Sequence, residues 1–556
     1  MIRILLTSLF IFSMVAAGLA QKTVGLLSYD PSRSYDGYNV IYPHNQPNVY
    51  LLDNCGEIVH IWTDEANFRP GNMAYIQPDG RLIKTKRDAV IINDPIWAGG
   101  GGAIVEIRDW DNNLEWQYEL NDSLARLHHD IAVKPNGNIL MIAWEFKSRE
   151  ESIAAGRDST NLPEDELWPD YILEINPDND EVVWEWHAWD HLIQDFDSTK
   201  ANYGVVADHP EKIDINWDTS DGDPDWMHSN ALNYNPELEQ IILCVPTFHE
   251  MWIIDNSTTT EQAAGSVGGR SGIGGDLMFR WGNPAAYDKG TVEDQKLFYP
   301  HDAHWALDFL DFGDPNRGKL VIYNNRFTST VSTANIFTPQ WDMYSWGYNQ
   351  DANGVFFPND FDEVIVHPVD STLMHSTGLS SIQLLPNGNK LICVGRFGYS
   401  FELTPDNEIV WEYKTPIRMG QPATQGDTLL INNNLTFRMD RYPTNFSAFD
   451  NRDLSPLGWI EQNPDTAFCD LILSTEVIPQ RKRLTMRPNP ANTMVALEWE
   501  GQKQSVIRVF DLHGRLLESF QASGGMKYLD TSSWNPGMYL LQVDDGVMEK
   551  LVVLHN

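Results

Sequence analysis

Hydrophobic positions along the chain come in short alternating runs separated by turn residues, and no stretch keeps the three-and-four spacing of a long amphipathic helix. Two signatures recur. The first is a Pro-x-Gly turn between apolar runs, at Gln77-Pro78-Asp79-Gly80, Lys134-Pro135-Asn136-Gly137-Asn138 and Leu385-Pro386-Asn387-Gly388-Asn389. Asp-Gly and Asn-Gly supply the positive φ that tight hairpins need. The second is a run that ends in tryptophan, at Val59–Trp62, Leu114–Trp116, Val183–Trp186 and Phe279–Trp281, with Tyr413 in that place in Val410–Tyr413. Each pair of signatures reads as one four-stranded sheet whose aromatic packs on its neighbour. Inner strands expected to begin near Met73, His129, His228, His301, His375 and Gln421 count six. The pattern predicts an all-β chain: a six-bladed β-propeller over residues 21–478, with little helix. An open end would expose unpaired edges, so both chain ends should complete the last blade, with Val49–Trp62 and Cys469–Glu476 as the expected partners.

The pattern changes after Val477. Arg481-Lys482-Arg483 interrupts an acidic background, in an expected linker at 479–486, and short strands with hairpin punctuation then run from 487 to 556. They suffice for a small β-sandwich. At the other end, Arg3 and the apolar run Ile4–Phe12 precede small residues at Gly18 and Ala20, which predicts a secretory signal over 1–20. No later run reaches the roughly 20 apolar residues of a membrane helix.

Composition adds constraints. The net charge is -39, from 39 Lys+Arg against 78 Asp+Glu. A surface this negative repels nucleic acid and anionic lipid. Cys55, Cys244, Cys393 and Cys469 show no metal or redox spacing and predict no disulfide framework; Cys244 and Cys393, at matching places in two repeats, read as buried thiols. Gly99–Gly102 lacks the following Gly-Lys-Ser/Thr of a phosphate loop and reads as a flexible loop. The polar stretches 147–169, 191–225 and 327–370 are expected to be long loops decorating one face.

Candidate chemistry resides in histidines at strand starts: His129, preceded by His128; His228; His301, followed by His304; and His375. Inner strands of such a fold line a central funnel, so their first residues would face one another. A ring of imidazoles and arginines suits transfer of an anionic group whose charge is spread over three oxygens. A neutral imidazole can attack it, a second can carry a proton near neutral pH, and arginine adds a fixed fork of donors. Arg326 and Arg396 are the arginine candidates, and Trp226, Phe248, Trp305 and Phe397 could line an aryl pocket.

Particular runs carry a resemblance. Asp225-Trp-Met-His228-Ser-Asn230, Gly275–Pro284, Pro300-His301-Asp302-Ala303 and Asn324-Asn325-Arg326 are similar to those of the bacterial arylsulfate sulfotransferases. These are secreted six-bladed propellers that move sulfuryl groups between phenols without a nucleotide donor. Asn256 after Asp255 and the run Ile382–Leu385 depart from the family pattern. The resemblance implies catalytic roles for His228, His301 and Arg326, and places a sulfated histidine in a later blade, where His375 is the expected position. His129, His304, Arg396 and Trp305 are the expected substrate-binding residues. It implies an aryl sulfate and a phenol as small-molecule substrates, with no cofactor and no metal. The tail from Arg487-Pro488-Asn489-Pro490 to Lys550-Leu-Val-Val553 resembles the sorting domain of the type IX secretion system, implying that machinery as a partner and a secreted or cell-surface location.

Two other readings use the same residues. A non-catalytic surface propeller could bind a sulfated glycan or a phenolic ligand in the same cationic funnel. A metal enzyme could draw ligands from His128, His129, Asp130, His301, Asp302 and His304, although their His-Asp spacing matches no strong metal pattern.

Overall fold

The structure, a computed structural model, describes residues 22–89, 94–470, 484–499, 505–511, 515–523, 525–543 and 548–555. The expected signal at 1–20, the basic run 481–483 and the expected closing strand beyond residue 470 lie outside the described residues. The chain divides into two units, Met1–Cys469 and Asp470–Asn556.

Among the described residues the first unit contains six sheets with a run of four antiparallel strands each, besides four two-stranded ribbons. We number them by their first strands: Thr436–Pro443 (sheet one), Phe68–Ile76 (two), Ala125–Val133 (three), Ala231–Asn235 (four), Pro300–Trp305 (five) and Ser381–Leu384 (six). The three Pro-x-Gly turns are hairpins, with φ +91° at Gly80, +89° at Gly137 and +85° at Gly388. Alternation along each strand feeds two cores at once. In sheet four, Ile241 and Leu243 pack with Trp184 and Trp186 of sheet three, while Ile242 and Cys244 pack toward Leu320 and Ile322 of sheet five. Four further cores of this kind join two to three, five to six, six to one and one to two. Every first strand is therefore buried on both faces. The longest helix described is Arg149–Ala155.

Sheet one is made from both ends of the unit. Thr436–Pro443 pairs with Gly37–Pro43, which continues to Val49–Leu52 and Ile58–Trp62. The N-terminal half of the expected closure is present, and its partner is Thr436–Pro443. The strand expected near Gln421 is only the two-residue Gln421–Pro422; the inner strand starts at Thr436, after a loop that packs on Arg396. Likewise His375 caps the turn Ser371–Met374, and the sixth inner strand begins at Ser381. Within 327–370, expected as loop, Thr333–Phe337 and Glu363–Ile365 are strands of sheet five.

Cys55 and Cys469, a pair that no spacing in the sequence signals, form a disulfide across 414 residues, while Cys244 and Cys393 are buried free thiols. A bond closing so long a loop removes much entropy from the unfolded chain. Replacing both cysteines by serine is expected to lower stability by about 2–4 kcal/mol. Denaturant unfolding of the variant against the wild type measures this; no change would mean that the bond is absent or strained.

One guanidinium ties all six first strands. Arg438 of sheet one donates from Nη1 to Tyr75 Oη of sheet two at 2.7 Å and from Nη2 to Asp130 Oδ2 of sheet three at 3.1 Å. Its Nε lies 2.8 Å from Asp302 Oδ1 of sheet five. Asp130 accepts from Leu232 N–H of sheet four at 3.1 Å, and Asp302 accepts from Ile382 N–H of sheet six at 2.9 Å. The Asp130 and Asp302 side chains are buried, and that of Arg438 is 13% exposed.

In the second unit, a three-stranded and a four-stranded antiparallel sheet share one core built around Leu484, Val495, Trp499, Ile507, Leu541 and Leu551.

Candidate functional site

Positive φ recurs at or near the starts of several first strands: His228 (+53°), Tyr299 (+54°) and Ser380 (+90°) precede theirs, Asp302 (+60°) is the third residue of Pro300–Trp305, and His129 (+48°), expected to open its strand, lies in the middle of Ala125–Val133. Left-handed backbone at a non-glycine residue costs on the order of 1 kcal/mol and gathers at functional sites. Here it turns side chains out of the pleat toward the axis. The His129 and His228 rings lie 4.8 Å apart, edge to face. Phe437, one residue before Arg438, is 6.3 Å from both His129 and His301. Tyr299 is 6.0 Å from both His228 and His301. These contacts place His129, His228 and His301 around one point.

Hydrogen bonds assign a distinct state to each ring. The Asn325 amide donates from Nδ2 to the carbonyls of Ser376 and Leu379, so its Oδ1 accepts from His301 Nδ1–H at 2.7 Å and the His301 Nε2 lone pair is free. Burial pushes the His301 imidazole down to about 3, which keeps it neutral. His128 Nε2 lies 3.2 Å from Asp170 Oδ1, and its Nδ1 is 2.9 Å from His129 Nδ1. With the His128 Nε2 proton facing Asp170, His129 Nδ1–H donates to His128 and again Nε2 is left with a lone pair. Burial, reinforced by His228, holds His129 well below the usual histidine range. His228 differs: its Nδ1 is bonded to Asp225 Oδ2, and although burial acts against charge, the Asp225 carboxylate raises its affinity for protons above the ordinary value. With a side chain 17% exposed, against 3% residue exposure for the other two, it is also the most accessible.

Two arginines flank the rings. Arg326 stacks on Tyr299, with Cζ 3.7 Å from the ring centre, and donates from Nε to Thr377 O. Arg396 donates from Nη1 to Asn432 Oδ1 at 3.2 Å. A Cβ on Gly378 would meet both Arg396 Nη2, at 3.4 Å, and His301 Cε1, at 3.6 Å, so that glycine lets the arginine approach the imidazole. Among the described residues neither arginine is paired with a carboxylate.

The expected flexible loop Gly99–Gly102 packs on the histidines. A Cβ on Gly100, at φ +81°, would fall 1.9 Å from His129 Nε2, and one on Gly99 would meet His228 at 3.6 Å.

Of the expected site residues, the structure brings together His129, His228, His301, Arg326 and Arg396. His375 is half-buried, and no ring contact or hydrogen bond among the described residues joins its imidazole to the other three; the sixth strand is entered through Leu379 and Ser380 instead. His304 and Trp305 line a separate cavity farther along their strand. Trp226 and Phe248 are in the core between sheets three and four. Sequence reasoning missed Tyr299 and Asn325. Asn325 stood beside Arg326 in the quoted run and was legible as a partner.

Residues 30–264 match the family model described as "Arylsulfotransferase (ASST)", and residues 485–553 match "Secretion system C-terminal sorting domain". No curated protein matches the chain. Among solved structures, a protein of unknown function from Bacteroides caccae is 10% identical, with 73% of this chain and 98% of that chain covered and a TM-score of 0.38. A streptogramin B lyase is 11% identical (76% and 94% covered, TM-score 0.34), and a virginiamycin B lyase from Staphylococcus aureus is 10% identical (68% and 85% covered, TM-score 0.30). Likenesses of this size assign no function.

Proposed function

We propose that the six-sheet unit, whose first half matches the arylsulfotransferase family, is a six-bladed propeller that moves a sulfuryl group from an aryl sulfate to a phenol. The observation that carries this reading is the convergence of three imidazoles with two arginines free of carboxylate partners, in a chain of net charge -39. An anionic sulfate ester finds fixed cations there, on an otherwise acidic chain.

The geometry favours His228 over His375 as the nucleophile. His228 Nε2 attacks sulfur, the bond from sulfur to the aryl oxygen breaks, and the donor leaves as a phenolate. Asp225 on Nδ1–H offsets the positive charge that develops on the attacked ring. Arg326 and Arg396 hold the sulfuryl oxygens. In the second half the acceptor phenol oxygen attacks sulfur, the bond to nitrogen breaks, and the phenol proton passes to the free Nε2 of His301 or His129. That proton goes to the first phenolate, so the sum is an exchange of ester for phenol. No nucleotide donor enters the scheme.

The residues of the C-terminal unit would form a β-sandwich that directs export through type IX secretion to the surface or the medium, in line with the sorting-domain match. Residues 1–20 would be the signal for the first export step.

The test is mass spectrometry of protein quenched after exposure to 4-nitrophenyl sulfate without acceptor. A sulfuryl group on His228 is expected. An adduct on His375 would restore the sequence expectation and overturn this assignment, and an unlabelled protein with sequential kinetics would remove the covalent scheme.

The pH profile gives an independent check. The attacking ring must be neutral, and the affinity of His228 for protons is raised, so the neutral form dominates only above that raised value. The rate is therefore expected to climb with pH through a midpoint above 6.5. Asp225→Asn should move the midpoint down and slow the reaction by roughly 10²-fold. A midpoint unmoved by the substitution would exclude His228 as the titrating group.

A further inference from the structure

All six first strands run the same way, and past the Arg438 layer they end around a second cavity of about 370 Å³. Thr436–Pro443 records the levels in order: Phe437 beside the histidines, Arg438 in the tie, then Asp440 and Tyr442 in the cavity wall. His129, His228 and His301 are not among its lining residues.

The wall combines aromatic faces with acid. Tyr75, Trp305, Phe309, Tyr442 and Phe446 supply the rings. The exposed Asp308 and the half-buried Asp440 also line it, and neither carboxyl has a hydrogen bond or ion pair to any described residue. The one guanidinium in the wall, Arg438, is already engaged with Asp130 and Asp302. His304 is held down to about 4 by burial, so it contributes no positive charge near neutral pH. Burial, with further repulsion from Asp302 and Asp308, pushes Asp440 up to about 7. Tyr442, 5% exposed, accepts from Ile76 N–H at 3.1 Å and has no acceptor for its own hydroxyl proton among the described residues. The wall thus carries two carboxyls beyond the two that share Arg438, inside rings whose faces attract cations, and a bound cation would favour their ionised forms. Its volume is in the lower range of small-molecule sites.

We propose that this cavity binds an organic ammonium ion of arylalkylamine size, its nitrogen between Asp308 and Asp440 and its apolar body against the aromatic wall. A neutral aromatic molecule of equal size would leave both carboxyls unmatched, and an anion would be repelled. Among the described residues no three potential ligand groups lie close enough to hold a metal ion, which favours the organic cation. The inference does not depend on sulfuryl transfer, because the Arg438 layer separates the two sites.

Calorimetric titration of the full chain with 2-phenylethylamine, 2-phenylethanol, phenylacetate and calcium chloride tests it. The amine is expected to bind at one site and to raise the unfolding temperature, with the alcohol weaker by roughly tenfold or more and phenylacetate excluded. Asp308→Asn with Asp440→Asn should abolish amine binding and leave turnover of 4-nitrophenyl sulfate unchanged. Should the double variant fold poorly, the ranking of amine, alcohol and acid on the wild type decides alone. Equal binding of alcohol and amine, amine binding that survives in a folded double variant, or stabilisation by calcium instead of the amine would each overturn the proposal.

Discussion

His228→Ala is expected to lower sulfuryl transfer by about 10³-fold or more while the protein remains folded. Loss of the nucleophile removes both half-reactions, so neither nitrophenol release nor the new ester should persist. The arrangement around it predicts graded effects elsewhere. His301 and His129 offer neutral Nε2 atoms for proton transfer, and each alanine variant should slow the reaction by roughly 10²-fold. His375→Ala should change it only a few-fold, because its ring does not join the cluster. Steady-state rates with 4-nitrophenyl sulfate and an added phenol rank the four variants. A His375 variant as inactive as the His228 variant would contradict the ranking. Circular dichroism and thermal unfolding of each variant check the fold independently.

Arg438→Met is expected to cost about 3–5 kcal/mol, the largest stability loss of any single replacement considered, because it leaves Asp130 and Asp302 buried without their cation. The loss should depend on pH. Burial already pushes Asp302 up to about 7, with Arg438 the chief opposing influence, so the variant raises it further. A carboxyl raised in the folded state favours folding below its unfolded value near 3.8 and loses that contribution as pH rises through about 7. Denaturant unfolding should therefore find a larger difference between variant and wild type at pH 8 than at pH 5.5. An equal difference at both would mean that Arg438 acts by packing alone.

Local signals in the sequence were informative where a few adjacent residues decide the structure. Pro78-Asp79-Gly80 and Pro135-Asn136-Gly137 specify hairpins whatever surrounds them, and His228 and His301 lie at the entries of inner strands as their sequence runs suggest, whereas His129 reaches the same cluster from the middle of Ala125–Val133. His375 stands apart from the cluster because the chain inserts the turn Ser371–Met374 before it and enters the strand at Ser380. His304 stands apart for a different reason. Three residues along an extended strand is roughly 10 Å, enough to carry it past the Arg438 layer into the other cavity. Arg438 itself lies in Thr-Phe-Arg-Met-Asp, a run that alternates like any other strand. Nothing local reveals that its partners come from sheets two, three and five. The Cys55–Cys469 pair was hidden by the same limit, since strand periodicity carries no information across 414 residues.

That separation has a consequence for the order of events during synthesis and export. Gly37–Pro43 is among the first segments to emerge, yet its partner Thr436–Pro443 is about 400 residues behind it. Until then the early strand has an unsatisfied edge, open to false partners and dependent on whatever holds nascent chains apart. The thiol of Cys55 must wait longer still, for residue 469. The bond cannot form natively on a truncated chain, so its presence marks a polypeptide whose whole first unit has been delivered. In a cell, the fraction of molecules carrying it would count finished products among stalled ones.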